Sequence, residues 1–349
     1  MTSDTQLYSG ATPEQVAADL APLVDFQSGG MSLQALEQLV AEHLLPHLMH
    51  YERPTFQSMF NMRPAREAML GAQVALDFNQ GVTNWQVSPG GAVLEELTVQ
   101  ALCRLFGLGS QADATFMYSG TYANQQALYL ALHRCAEKQG FNLAEEGIGG
   151  FADPSRLAVL ASQDAHFSLR HAVRMLGLGE SSLIALPLDK NRRLDALRTR
   201  HMITDLRRNR ELVAVVATAG TTPAGAVDPI MPLADLCRSD DIWLHVDGAY
   251  GYAYKLVPEW SSLFAGDTRA DSITWDPHKQ LGVPIPSSVL FVKNRADFGR
   301  MALFSSYFNR QDGTEPNPGL KSPPSTRPMS ALALGSLFRG QGRDGVIDN

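Results

Sequence analysis

Seven short apolar runs alternate with helix-like segments between residues 114 and 294, and this alternation constrains the fold more than any other feature. Most of the intervening segments carry apolar residues at helical spacing. Strands that alternate with helices predict an α/β domain, with a mostly parallel sheet covered by helices on both faces. The seven runs, in chain order, are ATFMYSG, RLAVLAS, SLIALPL, LVAVVATAG, IWLHVDGAY, SITW and SSVLFVKN.

The segment before this region has a different pattern. Residues 1–85 combine helical spacing with loops, prolines and aromatic residues, which predicts a helical N-terminal segment. A turn at Pro89, Gly90 and Gly91 then precedes a long amphipathic helix pattern. We therefore expect the α/β region to begin near residue 86.

The composition argues against several classes of partner. The 349 residues carry a formal net charge of −7, which gives no electrostatic reason to expect nucleic acid or an anionic membrane as a partner. No apolar run approaches the roughly 20 residues that a membrane-spanning helix needs, so no membrane partner is predicted. The three cysteines lie far apart in the sequence, which is typical of reduced thiols in a cytoplasmic protein.

Several predicted strands are followed by residues with useful chemistry. In sheets of this kind ligands bind at the carboxyl ends of the strands, so these residues are expected to share one site. They are the segment Ser119, Gly120 and Thr121, then His166, Thr218, Asp247, and the pair His278 and Lys279.

Pyridoxal phosphate needs the kinds of group that this edge of the sheet provides. Its aldehyde needs an amine, which Lys279 supplies, and its ring nitrogen needs a carboxylate, which Asp247 supplies. Its phosphate suits the free N–H groups at a helix N-terminus, where Gly120 permits close approach and Thr121 adds a hydroxyl. Its ring needs a flat packing partner, and His166 is the candidate.

Each of these residues also has an ordinary explanation when it is taken alone. Lys279 could be an exposed structural lysine, Asp247 a turn aspartate and His166 a loop histidine. Ser119 could simply cap a helix, and that role is compatible with phosphate binding because both use the same N–H groups. Their combination favours the cofactor site. The remaining histidines form no clear metal cluster, so no metal is predicted.

Five motifs resemble those of the group II pyridoxal-phosphate-dependent amino-acid decarboxylases. This family includes glutamate, aromatic amino-acid, diaminobutyrate and cysteine-sulfinate decarboxylases. The resemblance runs from about residue 45 to the end of the chain. The motifs are SGTYANQQAL, AHFS, ATAGTTPAGAVDPI, HVDGAYG and DPHK.

The resemblance implies a role for each candidate residue. Lys279 would form the Schiff base with the cofactor, Asp247 would pair with the pyridinium nitrogen and His166 would stack on the ring. The other cofactor-binding residues would be Ser119, Gly120 and Thr121 at the phosphate, Ala249 beneath the ring, Thr218 against the ring, and His278 near the phosphate or the substrate. The aromatic residues Phe56 and Trp85 would line the substrate pocket, and Tyr307 in a mobile loop would donate a proton.

The resemblance also implies an overall organisation. We expect a fold-type-I large domain over residues 86–325 and a homodimer with the active site at the subunit interface. Residues 1–85 would wrap around the partner subunit, and residues 326–349 would begin a C-terminal small domain. The chain stops before that domain would be complete, so it is expected to be a fragment, a naturally short protein, or one whose remainder is supplied separately.

The expected reaction is the decarboxylation of an L-amino acid to the amine and CO₂. The same cofactor groups also serve transaminases, other carbon–carbon lyases and aldehyde-forming decarboxylases, and a non-catalytic protein that binds pyridoxal phosphate is a further alternative. Four positions depart from the family pattern. Asp276 stands where asparagine is frequent and Gln280 where tryptophan is common, while in the phosphate loop Ser119 replaces a glycine and Tyr122 an acid. These departures leave the choice of amino acid open.

Overall fold

The computed structural model describes residues 6–53, 55–56, 62–305, 309 and 313–348. The chain divides into two compact units, Met1–Arg63 and Pro64–Asn349. The first unit contains helices α1 (Pro13–Leu20) and α2 (Leu33–His43). Helix α1 begins with a capping box, in which Thr12 and Gln15 each accept the backbone N–H of the other.

The second unit is built on one seven-stranded sheet with the order β1-β7-β6-β5-β4-β2-β3. Strand β7 is antiparallel to its neighbours β1 and β6, and the other neighbouring pairs are parallel. Each strand overlaps one of the seven apolar runs, and only β1 and β4 begin one residue before their run, which confirms the predicted α/β fold class. The strands are β1 (Asp113–Met117), β2 (Leu157–Ser162), β3 (Leu183–Leu186), β4 (Glu211–Thr218), β5 (Trp243–Asp247), β6 (Ser272–Trp275) and β7 (Ser288–Val292).

Helices cover both faces of this sheet. On strand β4, Ala214 and Val216 belong to a buried cluster shared with α5 and α7, while Val215 and Ala217 belong to a second cluster shared with α4 and α9. This alternation follows from the two-residue period of a strand buried on both sides. The helices of the second unit are α3 (Arg66–Phe78), α4 (Pro89–Leu105), α5 (Gly120–Lys138), α6 (Leu143–Glu146), α7 (Ser168–Met175), α8 (Ala196–Leu206), α9 (Ile230–Asp240), α10 (Pro277–Gln280) and α11 (Ser330–Asp348).

Two contacts hold together the segments before β1 and after β7. Helix α3 packs so closely on α11 that a Cβ at Gly71 would lie 2.6 Å from the carbonyl oxygen of Leu332. Arg327, just before α11, forms a buried ion pair with Glu95 on α4 and donates to the carbonyl oxygen of Phe116 on β1. The segments before β1 and after β7 therefore share the core of this unit. The division of the chain at residues 85 and 325 stays a prediction.

Two further properties concern the described part of the chain. It contains no helix that is both long and apolar enough to cross a lipid bilayer. Its three cysteines are free and buried, and burial raises the pKa of the Cys103 and Cys135 thiols to about 12.

Candidate active site

The carboxyl ends of three neighbouring strands meet in one row. In the register of the sheet, Thr218 of β4 pairs with Asp247 of β5, and Asp247 pairs with Thr274 of β6. All three residues are buried. The parallel sheet thus places Thr218 and Asp247 side by side, immediately before the turn that leads from β6 to Lys279.

Helix α5 begins beside this row. The Ser119 hydroxyl caps it by accepting the backbone N–H of Tyr122 at 3.4 Å. The N–H groups of Gly120 and Thr121 stand at the helix end, where no carbonyl of the helix can accept them. Gly120 is buried, and a Cβ there would lie 2.7 Å from Oδ2 of Asp276 and 3.1 Å from Cβ of Ala249. Because only glycine fits this space, the first turn of α5 approaches the ends of β5 and β6.

Asp247 is buried and receives a hydrogen bond on each carboxylate oxygen. The backbone N–H of Ala249 donates to Oδ1 at 3.2 Å, and the side-chain amide of Asn124 donates to Oδ2 at 2.8 Å. Asn124 lies on α5, one turn after Gly120, and is also buried. The helix that begins at the site therefore fixes the orientation of the acid.

His245 supports Asn124 from the interior of the sheet. It lies two residues before Asp247 on β5, so both side chains are on the same face of the strand. Burial lowers the pKa of His245 from 6.5 to about 4, so the ring is neutral at physiological pH. Its Nε2 lies 2.9 Å from Oδ1 of Asn124 and its Nδ1 lies 2.8 Å from the hydroxyl of Ser272.

Lys279 lies on the short helix α10, which follows β6. Its ammonium group is 3.1 Å from Oδ2 of Asp276, and Asp276 also accepts the hydroxyl of Ser288 on β7. The neighbouring His278 places Nδ1 2.6 Å from the carbonyl oxygen of Ser287, and burial lowers the pKa of its ring. The amine is therefore held by a buried carboxylate and a turn that two strands fix in place.

His166 lies after β2 and before α7. Its Nδ1 accepts the backbone N–H of Ser168 at 3.2 Å, which leaves the ring proton on Nε2. Burial lowers the pKa of His166, the Asp247 carboxylate opposes that shift, and the Lys279 ammonium adds to it. The pKa of His166 therefore depends on the charges of both the acid and the amine.

Thr218 is held by its backbone and leaves its side chain free for another partner. Its N–H donates to the Asp228 carboxylate at 2.7 Å, and the second oxygen of Asp228 accepts the N–H of Leu194. The buried Oγ1 of Thr218 has no hydrogen-bond partner among the described residues. A buried hydroxyl is costly when it is unpaired, and a ligand that formed a hydrogen bond with this atom would remove that cost.

The roles of three other predicted residues are not tested by these contacts. Phe56 lies in the first unit, where its ring centroid is 4.8 Å from that of Tyr51. Trp85 is 42% exposed before α4, and its backbone N–H donates to the carbonyl oxygen of Pro316. Tyr307 lies outside the described residues. Their roles in substrate binding and proton donation stay predictions.

The structure adds residues that the sequence interpretation did not single out. Asn124, His245 and Asp228 each touch a predicted site residue or its immediate support. Two signals pointed to them: the spacing of His245 and Asp247 places both on one strand face, and Gly120 and Asn124 are one helical turn apart. Asp228 had no such signal, because its contacts are to backbone atoms of distant segments.

Comparison with known proteins agrees with this geometry. The family model described as the pyridoxal-dependent decarboxylase conserved domain matches residues 13–347. L-2,4-diaminobutyrate decarboxylase of Rhizobium meliloti (strain 1021) is 33% identical over 347 residues, which cover 98% of this chain and 67% of that protein.

Two solved structures show the same fold. The glutamate decarboxylase domain of the Vibrio parahaemolyticus protein that is named for diaminobutyrate-pyruvate transaminase and L-2,4-diaminobutyrate decarboxylase superposes with a TM-score of 0.86 at 25% identity, covering 98% of this chain and 69% of that one. Mouse CSAD gives a TM-score of 0.89 at 25% identity, covering 99% and 71%.

The sheet, its helices and the groups at its edge define a fold-type-I pyridoxal-phosphate-dependent enzyme. Within that class, the chain belongs to the pyridoxal-dependent decarboxylase family. Its cofactor is pyridoxal 5'-phosphate, and its reaction is amino-acid decarboxylation, as a carboxy-lyase.

The residues at the edge of the sheet fit that cofactor. The unpaired hydroxyl of Thr218 and the glycine at the start of α5 provide a polar contact and a close approach. A primary amine, a carboxylate and an imidazole lie around them, and these are the groups that an aldehyde, a ring nitrogen and an aromatic face require.

Proposed function

We propose that Lys279, Asp247, His166 and the first turn of α5 hold pyridoxal phosphate for the decarboxylation of an L-amino acid to the amine and CO₂. The observation that carries this proposal is the position of the acid and the amine on neighbouring parallel strands: Asp247 ends β5, and Lys279 lies on the short helix that follows β6. His166 responds to the charges of both, although the three residues are up to 113 positions apart.

Each residue has a separate task in this proposal. Lys279 presents its Nζ to the aldehyde of the cofactor, and Asp247 holds a proton at the ring nitrogen. His166 covers one face of the ring, while Ala249 and Thr218 contact the ring from the strand ends. When bound, the cofactor supplies an electron sink for the electron pair that departing CO₂ leaves behind.

The start of α5 would bind the phosphate. The N–H groups of Gly120 and Thr121 point out of the helix end, where the helix dipole favours an anion. Ser119 caps this turn and keeps it in place. His278 would lie near the phosphate or the substrate, since it belongs to the same short helix as Lys279.

Lys279→Ala tests the role of the amine. The variant should lose the visible absorbance of the cofactor-loaded protein and at least about 10³-fold of its rate of CO₂ release, because no other primary amine is proposed to hold the aldehyde. Lys190→Ala, which removes an exposed lysine before α8, is the control and should keep both properties. Retention of absorbance and CO₂ release in Lys279→Ala would show that the assignment is wrong.

The proposed substrate is L-2,4-diaminobutyrate, because the relative in Rhizobium meliloti is named as the decarboxylase of that amino acid. The experiment is a panel of diaminobutyrate, glutamate, cysteine sulfinate and aromatic amino acids, with CO₂, amine, keto acid and aldehyde all measured. Release of CO₂ and amine from diaminobutyrate ahead of the others supports the proposal. A keto acid or an aldehyde as the main product would instead indicate a transaminase or an oxidative decarboxylase.

We also propose that the protein works as a cytoplasmic homodimer. Helix α3 exposes several large apolar side chains, which supports contact with a second copy. The free, buried cysteines suit a reducing compartment. Light scattering that gives the mass of one chain at working concentration would contradict the dimer. The exposed residues on α3 are Met69, Leu70, Val74, Leu76 and Phe78.

A further inference from the structure

A chain of buried hydrogen bonds runs through the sheet and ends at Asp247. We call it the relay, and it consists of Trp243, Ser272, His245, Asn124 and Asp247. Trp243 Nε1 donates to Ser272 Oγ at 2.8 Å, and Ser272 Oγ lies 2.8 Å from His245 Nδ1. His245 Nε2 lies 2.9 Å from Asn124 Oδ1, and Asn124 Nδ2 donates to Asp247 Oδ2 at 2.8 Å.

The relay has one consistent direction. Trp243 can only donate, so the Ser272 hydroxyl is free to donate to Nδ1 of His245. The neutral ring then carries its proton on Nε2 and donates it to Asn124 Oδ1. Reversal of the Asn124 amide would set its NH₂ group against Nε2–H and its oxygen against the Asp247 carboxylate, so the amide is fixed.

Asn124 has a second fixed contact. Its amide nitrogen also donates to the Ser168 hydroxyl at 2.9 Å, so both of its N–H bonds are used. Together with the Ala249 N–H on the other oxygen, this leaves the Asp247 carboxylate in a single orientation. A buried polar group that is fully hydrogen-bonded in this way is rigid.

We propose that Asn124 and His245 are positioning residues that hold the Asp247 carboxylate in the orientation needed by the ring nitrogen of the cofactor. The proposal rests on the proposed role of Asp247 as the partner of that nitrogen. It adds two buried residues, of which Asn124 contacts Asp247 and His245 contacts Asn124. It assigns a role in cofactor recognition to a histidine in the interior of the sheet.

The alternative is that the relay only stabilises the fold. A structural role would lower the free energy of unfolding and would weaken all cofactor analogues equally. A positioning role would act on one atom of the cofactor, its ring nitrogen. The affinity ratio between pyridoxal phosphate and its 1-deaza analogue, in which C–H replaces the ring nitrogen, separates the two.

The experiment measures dissociation constants for both compounds with the full chain stripped of cofactor. The unsubstituted protein should prefer pyridoxal phosphate by at least about tenfold, the order expected for a hydrogen bond to a charged group. Asn124→Ala and His245→Phe should reduce this preference to about threefold or less, whereas His245→Gln, which can still donate to Asn124, should restore most of it.

Tyr252→Phe is the matched control, because it deletes a buried hydroxyl that donates to Asp267 at 2.7 Å, away from the relay. It should lower stability and leave the preference unchanged. An unchanged preference in both Asn124→Ala and His245→Phe would overturn the proposal. If the unsubstituted protein shows no preference, the proposed pairing of Asp247 with the ring nitrogen is wrong, and the role of the relay fails with it. If Asn124→Ala does not fold, His245→Phe alone provides the test.

Discussion

Asp276 is the residue whose charge has the most direct effect on the proposed site. Its buried carboxylate lies 3.1 Å from the Lys279 amine and against Gly120, at the helix end where the cofactor phosphate is proposed to bind. Its charge also raises the pKa of His278 and of His166, against the effect of burial. It therefore attracts the amine and repels an anion at the same place.

Asp276→Asn should increase the preference for pyridoxal phosphate over pyridoxal, which lacks the phosphate, by about tenfold. The substitution removes one negative charge beside the phosphate, while any effect on the Lys279 amine is common to both compounds. Titration of the cofactor-free chain with each compound gives the ratio.

Ser288→Ala is the control for this substitution, because it removes a hydroxyl that donates to Asp276 and keeps the charge. Its ratio should equal that of the unsubstituted protein. An increase in both variants would show that the hydrogen bond, and not the charge, limits phosphate binding.

At this scale the sequence predicted residues that follow strands and could not predict residues that reach the site from elsewhere. Lys279, Asp247 and His166 come directly after predicted strands, and strand ends in a parallel sheet share one edge. Asn124 lies one helical turn after Gly120, but its contact with Asp247 also depends on how α5 packs against the sheet. The local sequence pattern gives the helical turn and does not give this packing.

At the scale of elements, the packing of α3 on α11 depends on one glycine. A Cβ at Gly71 would lie 2.6 Å from the Leu332 carbonyl oxygen and 2.8 Å from Cα of Ala333. Both atoms belong to the backbone, so neither can move away as a flexible side chain could. The two helices can touch at this point only without a side chain between them.

Gly71→Ala should therefore lower the free energy of unfolding by about 1–3 kcal/mol, the cost of forcing a methyl group into a filled space. Gly335→Ala is the matched control on α11, where a Cβ would meet nothing within 4 Å. That control should be neutral or more stable by about 0.5–1 kcal/mol, because alanine favours a helix. Urea unfolding measures both, and a shift of the same sign and size in the two variants would contradict the packing argument.

The strands were more predictable than the short helices. Each of the seven apolar runs overlaps a strand, because a strand buried on both faces needs a nearly continuous apolar sequence. Helices α6 and α10 have four residues each, too few for a periodic pattern. Helix α10 nevertheless carries Lys279, so the turn that presents the amine depends on tertiary contacts with β7.

At the scale of the whole molecule, two buried groups change the free energy of unfolding in opposite directions as the pH falls. Burial lowers the pKa of His245 from 6.5 to about 4. As the pH falls below 6.5, this histidine is protonated in the unfolded chain before it is protonated in the folded chain, so the free energy of unfolding decreases. Burial raises the pKa of Asp228 to about 6, against 3.8 in its ordinary state, so the folded chain binds this proton first and stability is gained. Between pH 6 and pH 4 the two effects oppose each other.

Asp228→Asn should make the free energy of unfolding fall more steeply than in the unsubstituted protein between pH 6 and pH 4, by about 1.4 kcal/mol for each pH unit. His245→Gln should change the slope by a similar amount in the opposite direction. Urea unfolding of the cofactor-loaded protein at half-unit intervals of pH provides the slopes. Equal slopes in all three proteins would show that neither group titrates differently on folding.

The row formed by Thr218, Asp247 and Thr274 has a consequence for the abundance of the protein in the cell. The proposed cofactor contacts come from segments that meet only when the parallel strands have all paired, so an incomplete sheet offers the cofactor no site. A ligand that binds only the folded state shifts the folding equilibrium toward it in proportion to its concentration. The supply of pyridoxal phosphate should therefore set the abundance of the enzyme as well as its activity, since chains left without cofactor unfold more often and are degraded sooner.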